Sequence, residues 1–542
     1  MINSTENVNM AAPPKVIGLT EYEQEAFERL FEVWSQKLTR NKLRMKYYRK
    51  RNALKDLGIA IPPKLKTLET VLGWPAKAVD MLAARSIFDG FVYEDDVDSR
   101  IEDVLRMNRF KLMYRQATKS ELVHSCAFAT VSKGAEGEPP VLVSFYSAEN
   151  GAVIWDSRLK REECGFTIVK LDEKNNTPTW INLYTNEAVI EIRKEDTWRA
   201  VRKVHNQGRP LIFALVHCPD LDRPLGKSRI TRSVMSLTDS ATRTALRSEV
   251  SAEFFTSPQK YLLGIQEGFF DDNPKWDAYI GNIMAITENP ETGTVPQFGQ
   301  LPQGTMQPHV DYLRSLAASF SGETNIPINA LGIIHDNPAS AEAMRTAESY
   351  LIMDAEDLNE TNGDALRNIG LMVHAILNGT TVDRLSDAEK SIEPRFRNPS
   401  MPSVVSQSDA IIKQVSAIPW LADTEVALEE LGYNKEQRTR LLSDKRKIMA
   451  RATLEQARQA ATEKMAKENE GSKRTMYMMQ SIIANYRRGT INHANAILLF
   501  AQIGIEEDEA RQILADADDV METTQQMAEA PSDKEADDGA GV

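Results

Sequence analysis

From about Pro338 or Ala339 to Leu377 the chain runs for nearly forty residues without an interrupting proline. Read as helix, at about 1.5 Å per residue, this stretch is a rod near 60 Å long. Asn337-Pro338 opens it and Gly379 closes it, because proline suits a first turn and glycine a C-terminal cap. One helix of that length outreaches the core of a compact domain. An extended subunit of a large assembly, or a spanning element, is therefore expected.

Two more helices precede it. Ile230, Val234, Leu237, Ala241, Ala245, Ser248, Ala252 and Phe255 follow the helical period and predict a narrow, mostly small-residue buried stripe, leaving Arg229, Arg232, Arg243 and Arg247 for polar contacts. His309 to Ser321 carries Val310, Leu313, Leu316, Ala317 and Phe320 on one side, and is expected to stop at Gly322. Near the N-terminus, similar spacing predicts helices over Glu21 to Lys55, Ala76 to Ala84 and Asp96 to Thr118, with a turn at Asp89-Gly90. Between His124 and Val216 come seven short β-rich runs: 127–131, 141–146, 152–155, 166–171, 179–184, 188–193 and 211–216. Gly, Pro, Asn and Asp separate them, which predicts a mostly antiparallel sheet. The fold class is α+β, mainly helical, with the sheet early and the helices late. Three helical units, Met476 to Arg488, Asn492 to Ile503 and Glu506 to Asp516, read as an appended piece before an acidic tail expected to be disordered.

Composition excludes several functions. No apolar stretch approaches the roughly 18 to 20 residues of a membrane span, so no membrane partner is expected. The start, MINSTENVNMAAPP, lacks the features of a secretory signal, so a cytosolic protein is expected. Cys126, Cys164 and Cys218 are too far apart for a metal knuckle and read as buried thiols. The net charge of −13 is uneven: −11 falls from Glu506 onward and only −2 before it. Lys37 to Lys55 holds nine basic residues and no acid, among them Arg44, Lys46, Arg49, Lys50 and Arg51. That helix could bind a polyanion, be a solvated face, or meet an acidic neighbour in an assembly.

A search for chemistry yields no catalytic residue, metal site or cofactor. Gly226-Lys227-Ser228 would end a phosphate-binding loop if a glycine stood five positions earlier, but that position is Leu221, and Pro224 stiffens the loop. A turn with Ser228 capping the next helix is the plainer reading. No two of the seven histidines stand three or four residues apart, and no GxSxG elbow occurs. A non-enzymatic protein is expected.

Several fragments, in order, carry a resemblance. They are Tyr47-Tyr48-Arg49-Lys50, Pro62-Pro63, Leu72-Gly73-Trp74-Pro75, Ala78 to Phe91, Gly226 to Asp239, Ile326 to Gly332 and Pro338 to Ala343. From about Leu43 to about Ala460 the sequence resembles the portal proteins of siphovirus-type tailed phages, although Arg49 stands where that family usually has glycine. The resemblance implies an arm (1–20), a wing of helices and sheet (21–225), a first stem helix (226–256), a clip (257–304) and a second stem helix (305–322). A tunnel loop (323–340), a long wing helix (341–378), a return to the wing (379–402) and a crown (403–468) follow; a helical extension (469–520) and the acidic tail (521–542) lie beyond. It implies a ring of twelve subunits at a capsid vertex of the virion, assembled in the host cytoplasm. Double-stranded DNA would pass through it, and terminase, a head-completion adaptor, and major capsid and scaffolding proteins would be its partners. Phe269, Phe270, Trp276 and Tyr279 would be clip contacts. Asn325, Asn329, His335, Asn337 and Ser340 would face DNA, or merely turn a corner. A minor capsid or scaffolding protein, or a DNA-processing enzyme such as a terminase, are the alternatives.

Overall fold

The computed structural model describes residues 12–52, 70–93, 100–172, 174, 176–256, 260–264, 293–295, 297–300, 305–333, 341–400, 404–433 and 435–528. The chain divides into two units, 1–435 and 436–542. In the first lie α1 (Glu21–Tyr48), α2 (Trp74–Ala83), β1 (Phe88–Val92), α3 (Arg100–Met107) and α4 (Phe110–His124). Eight strands follow: β2 (Cys126–Lys133), β3 (Val141–Ser147), β4 (Gly151–Asp156), β5 (Arg161–Leu171), β6 (Pro178–Tyr184), β7 (Ala188–Lys194), β8 (Trp198–Val204) and β9 (Ile212–Val216). Then come α5 (Arg232–Thr256), β10 (Lys260–Leu263), β11 (Gln297–Gln300), α6 (Gln307–Thr324), α7 (Ala341–Leu377), α8 (Asp387–Lys390), β12 (Glu393–Phe396), α9 (Val404–Ala417) and α10 (Glu425–Glu430). The second unit holds α11, which begins at the boundary (Lys435–Arg487), α12 (His493–Gln502) and α13 (Glu507–Ala528).

The helices and strands make an α+β protein whose sheets are antiparallel throughout. The strands between His124 and Val216 form two sheets, not one: β3-β2-β9 and β4-β5-β6-β7-β8. Phe27, Leu30 and Trp34 of α1 cover the larger sheet at Phe166 and Leu183. The smaller sheet is packed by α4 and α7 through Tyr114, Leu366 and Met372. Strand β8 has no counterpart in the sequence reading. It is an edge strand with Arg199, Arg202 and Lys203 in solvent, so it lacks the apolar alternation that marks a half-buried strand.

Local chemistry moves several helix ends. A Thr20–Glu23 capping box starts α1, but the helix stops at Tyr48, not near Lys55, because Lys50 turns left-handed at φ 58°. The single helix expected over Asp96 to Thr118 is two. Arg109 takes φ 49°, and the Asn108 amide donates to the Val104 and Val141 carbonyls, each at 2.8 Å, while its oxygen accepts from Val143 N–H. Asp89-Gly90 is a bulge inside β1, which pairs with β12, rather than a turn.

Helices α5 and α6 form an antiparallel hairpin: Arg229 meets Thr324 at one end, and Ser251 meets His309 at the other. On α5 Val234, Thr238, Thr242, Leu246 and Val250 form a buried four-residue ridge, with Ala241 and Thr244 buried beside it. Of the expected stripe Ile230, Val234 and Ala241 are buried, whereas Leu237, Ala245 and Ser248 are only partly so and Ala252 is exposed. Thr238 and Thr242 each donate to the carbonyl four residues back, which satisfies the hydroxyl and leaves a valine-like surface. Val234 and Ala241 share a core with Leu316, Ala317 and Phe320 of α6. Gly322 does not stop α6; the helix ends at Thr324, where Asn325 adopts the left-handed conformation. As expected, α7 closes at Gly379 (φ 63°), with Thr380 N–H returning to the Ala375 carbonyl.

In the second unit, Ile482, Ala496, Phe500, Ala510 and Leu514 form a small core between the end of α11, α12 and α13. Met476 to Arg488 is thus the last part of a 53-residue helix, not a separate one. Helix α13 runs to Ala528, beyond the expected stop and into the span expected to be disordered, because no glycine or proline interrupts it before Pro531.

Candidate functional site

The fragments Tyr47-Tyr48, Trp74 to Ala83, Gly226 to Asp239 and Ile326 to Leu331 lie far apart in sequence and share one apolar core. Trp74 stacks at a tilt on Phe320, ring centroids 5.3 Å apart, and Leu351, Ala355 and Leu358 of α7 close the cluster. Around its rim, polar side chains tie the elements together. The Tyr47 hydroxyl donates to Asp239 at 2.8 Å, and the Tyr48 hydroxyl to Asp80 at 3.0 Å. Burial first, and then these carboxylates, push both hydroxyls well above the usual tyrosine range, Tyr48 to about 12, so both stay protonated as donors.

Arg229 is the hub. It lies just before α5 and is buried, and its side chain reaches three other elements. Nε donates to the Ala78 carbonyl of α2 at 2.9 Å, Nη1 to Asp354 of α7 at 3.0 Å, and Nη2 to the Thr324 carbonyl ending α6 at 2.5 Å. Burial lowers its pKa and Asp354 opposes the shift, so the guanidinium stays charged. Asp354 also accepts from the Asn325 amide at 3.1 Å. One carboxylate thus ties the start of α5 to the end of α6, and both to the long helix. Asp354 was not singled out from sequence. The available signal was an acid at helical spacing between Leu351 and Leu358, on the face α7 buries.

The other predicted residues are placed as follows. Asn325 is half-buried and engaged by Asp354; Asn329 is exposed on a 3-10 turn, Ile328–Leu331; His335, Asn337 and Ser340 lie outside the described residues. Phe269, Phe270, Trp276 and Tyr279 also lie outside them, although the ends of that segment pair as β10 and β11, Lys260 opposite Gln300. In the basic helix, Arg44 and Lys46 are half-buried, and Arg44 donates to the His124 carbonyl at 3.0 Å. Burial lowers Arg44 to about 10, still charged at neutral pH. Arg49, Lys50 and Arg51 are exposed. Cys218, expected to be buried, is exposed, whereas Cys126 and Cys164 are buried.

Gly226-Lys227-Ser228 proves to be a scaffold turn. Gly226 has φ 70°, and a Cβ there would fall 2.2 Å from the His217 carbonyl oxygen. Lys227 pairs with Asp220 at 2.7 Å. Ser228 Oγ donates to the Val123 carbonyl at 2.6 Å, and the cap of α5 is instead Thr231, which accepts from Val234 N–H. Among the described residues no group of three or more His, Cys, Asp or Glu is arranged to hold a metal ion. No described helix is long and apolar enough to cross a membrane. What the junction can do is mechanical: it fixes a helical hairpin to a long helix through a buried cation.

Known proteins resemble this chain as follows. It is 26% identical over 426 residues to the portal protein of Mycobacterium phage D29, covering 75% of this chain and 85% of that one. It is 27% identical over 452 residues to the portal protein of Mycobacterium phage L5, covering 79% and 90%. Among solved structures, a chain of the "Neck of native GTA particle computed with C12 symmetry" superposes with a TM-score of 0.38 at 11% identity, over 64% of this chain and 85% of that one, too weakly to bear on fold or assembly. Residues 28–440 match the family described as "Phage portal protein, SPP1 Gp6-like", and the chain belongs to that family of phage portal proteins.

Proposed function

We propose that this chain is one subunit of a closed ring, twelve copies strong, at a capsid vertex of the virion, through which double-stranded DNA is packaged and later ejected. Family membership makes it a portal protein, a structural component of the phage particle. The observation that carries the ring is the α5–α6 hairpin. Its base is locked by Arg229, yet Val310 and Tyr312 remain 43% and 51% exposed. A rod whose outer side keeps such residues in water is suited to lie against the next copy. In a closed ring those contacts are head-to-tail, one face against a different face.

In this reading α5 and α6 are the stem, β10 and β11 the base of the clip, 323–340 the tunnel loop, α7 the long wing helix and 403–468 the crown. The clip receives the terminase motor during packaging and a head-completion adaptor afterwards; major capsid and scaffolding proteins surround the wing during assembly in the host cytoplasm. Asn329 and the rest of the loop meet DNA, while Asn325 anchors the loop to Asp354. A channel lets DNA slide only if it does not neutralise many phosphates, and 323–340 contains neither lysine nor arginine. The subunit has no catalysis of its own; a separate ATPase supplies the energy. Negative-stain microscopy of purified protein tests the proposal: end-on rings with an open centre support it, and monomers or closed shells overturn it.

A further inference from the structure

Every residue from Arg446 to Ala460 of α11 is exposed, so four turns of helix have no face covered by the described residues of their own unit. Arg440, Lys447, Arg451 and Arg458 follow one another at steps of seven, four and seven residues, which aligns them in one basic strip. Lys447 has a partner in Asp444 at 3.2 Å, whereas Arg440, Arg451 and Arg458 have none among the described residues. Beside the strip stand Ile448 and Leu454, 66% and 73% exposed.

The same unit carries an opposite surface. Helix α13 buries Ala510, Leu514 and Ala517, and away from that side lie the exposed carboxylates of Asp508, Glu509 and Asp516. Its other acids in these turns are engaged: Glu507 by Arg511 at 2.7 Å, and Asp518 by the Tyr486 hydroxyl at 2.9 Å.

The two surfaces cannot meet within one chain. Ala510 and Leu514 pack on α11 at Ile482, which lies 24 residues of continuous helix beyond Arg458, about 36 Å. We propose that the basic strip of α11 receives the acidic face of α13 from a second copy of this chain. Exposed Leu454 and Ile448 suit a protein partner, since apolar side chains beside the strip gain nothing from a phosphate backbone. The contact joins unlike faces and, repeated head-to-tail from copy to copy, is compatible with a closed ring. It rests on the ring reading and adds one specific interface to it.

Sedimentation velocity on full-length protein tests this with two paired reversals, Arg451→Glu with Arg458→Glu and Asp508→Lys with Asp516→Lys, and with all four changes together. All four positions are exposed, and circular dichroism checks that each variant keeps its helix content. Each pair should raise the concentration needed for assembly at least about tenfold, because like charges then face each other. The four-change variant should assemble near the native concentration. Native-like assembly of both pairs, or no recovery in the four-change variant, overturns the contact. So does an arginine pair that assembles normally but loses affinity for duplex DNA, which would assign the strip to phosphate. A native chain that stays monomeric overturns the ring and this contact with it; a native oligomer indifferent to the reversals overturns the contact alone.

Discussion

Glu121→Gln should make the first unit less sensitive to alkaline pH. Glu121 lies on α4, wholly buried, where Asn362 of α7 donates to one carboxyl oxygen at 3.0 Å and the other oxygen has no partner among the described residues. The same Asn362 amide donates to the Tyr114 hydroxyl at 3.3 Å, which in turn shares a hydrogen bond with Ser86. Burial pushes the Glu121 pKa up to about 8, against 4.5 in water, and the Asn362 hydrogen bond only partly offsets this. The folded state therefore holds a proton that the unfolded chain gives up. Stability from this group is fully present below pH 4.5 and is lost as the pH rises to about 8. At about 1.4 kcal/mol per pH unit, the loss across that window is on the order of 5 kcal/mol. Glutamine keeps the shape and never ionises. Thermal unfolding of native protein and variant, followed from pH 5 to pH 8, should give melting temperatures that nearly coincide at the acid end and separate towards pH 8, the variant higher. A separation that does not change with pH would refute the argument.

Other expectations concern the junction. Arg229→Ala leaves Asp354 and two carbonyls without their shared donor, and should lower unfolding stability by about 3–5 kcal/mol in urea titrations. Tyr47→Phe removes one hydrogen bond to Asp239 and should cost about 1 kcal/mol in the same assay. Gly226→Ala strains a positive φ and drives a Cβ against the His217 carbonyl, so a loss of about 2 kcal/mol or more is expected. Lys227→Ala should leave the melting temperature unchanged, which separates a scaffold turn from a phosphate loop in which lysine would be indispensable.

How much the sequence disclosed depends on what held each element. Helix α7 was legible to within a few residues, because an opening proline, a closing glycine and the lack of any proline between them all agree there. Seven of the strands between His124 and Val216 were legible from β-branched residues between turn formers, but their division into two sheets was not, since pairing is set by contacts distant in sequence. The break at Asn108-Arg109 was hidden because it depends on Val141 and Val143, which reach Asn108 only in the folded chain. The buried side of α5 was half visible: Val234 and Ala241, with Ile230 just before the helix, announced it, while Thr238 and Thr242 concealed the rest behind hydroxyls that the helix itself satisfies. At the junction, the sequence marked the fragments that converge and noted Arg229 only as one of four arginines available for polar contacts. Asp354 went unmarked despite its helical spacing between Leu351 and Leu358, because one carboxylate in a helix is ordinary until its neighbours are known.

In the proposed assembly these subunits form a ring with the α5–α6 hairpin and the following loop at its channel. Cryo-electron microscopy of the purified protein, reconstructed without imposed symmetry, tests it most directly. A closed ring with an open centre is expected, with α5 and α6 standing around the hole and Asn329 at its narrowest part. A solid particle, an open filament, or a ring with the hairpin on its outer rim would contradict it.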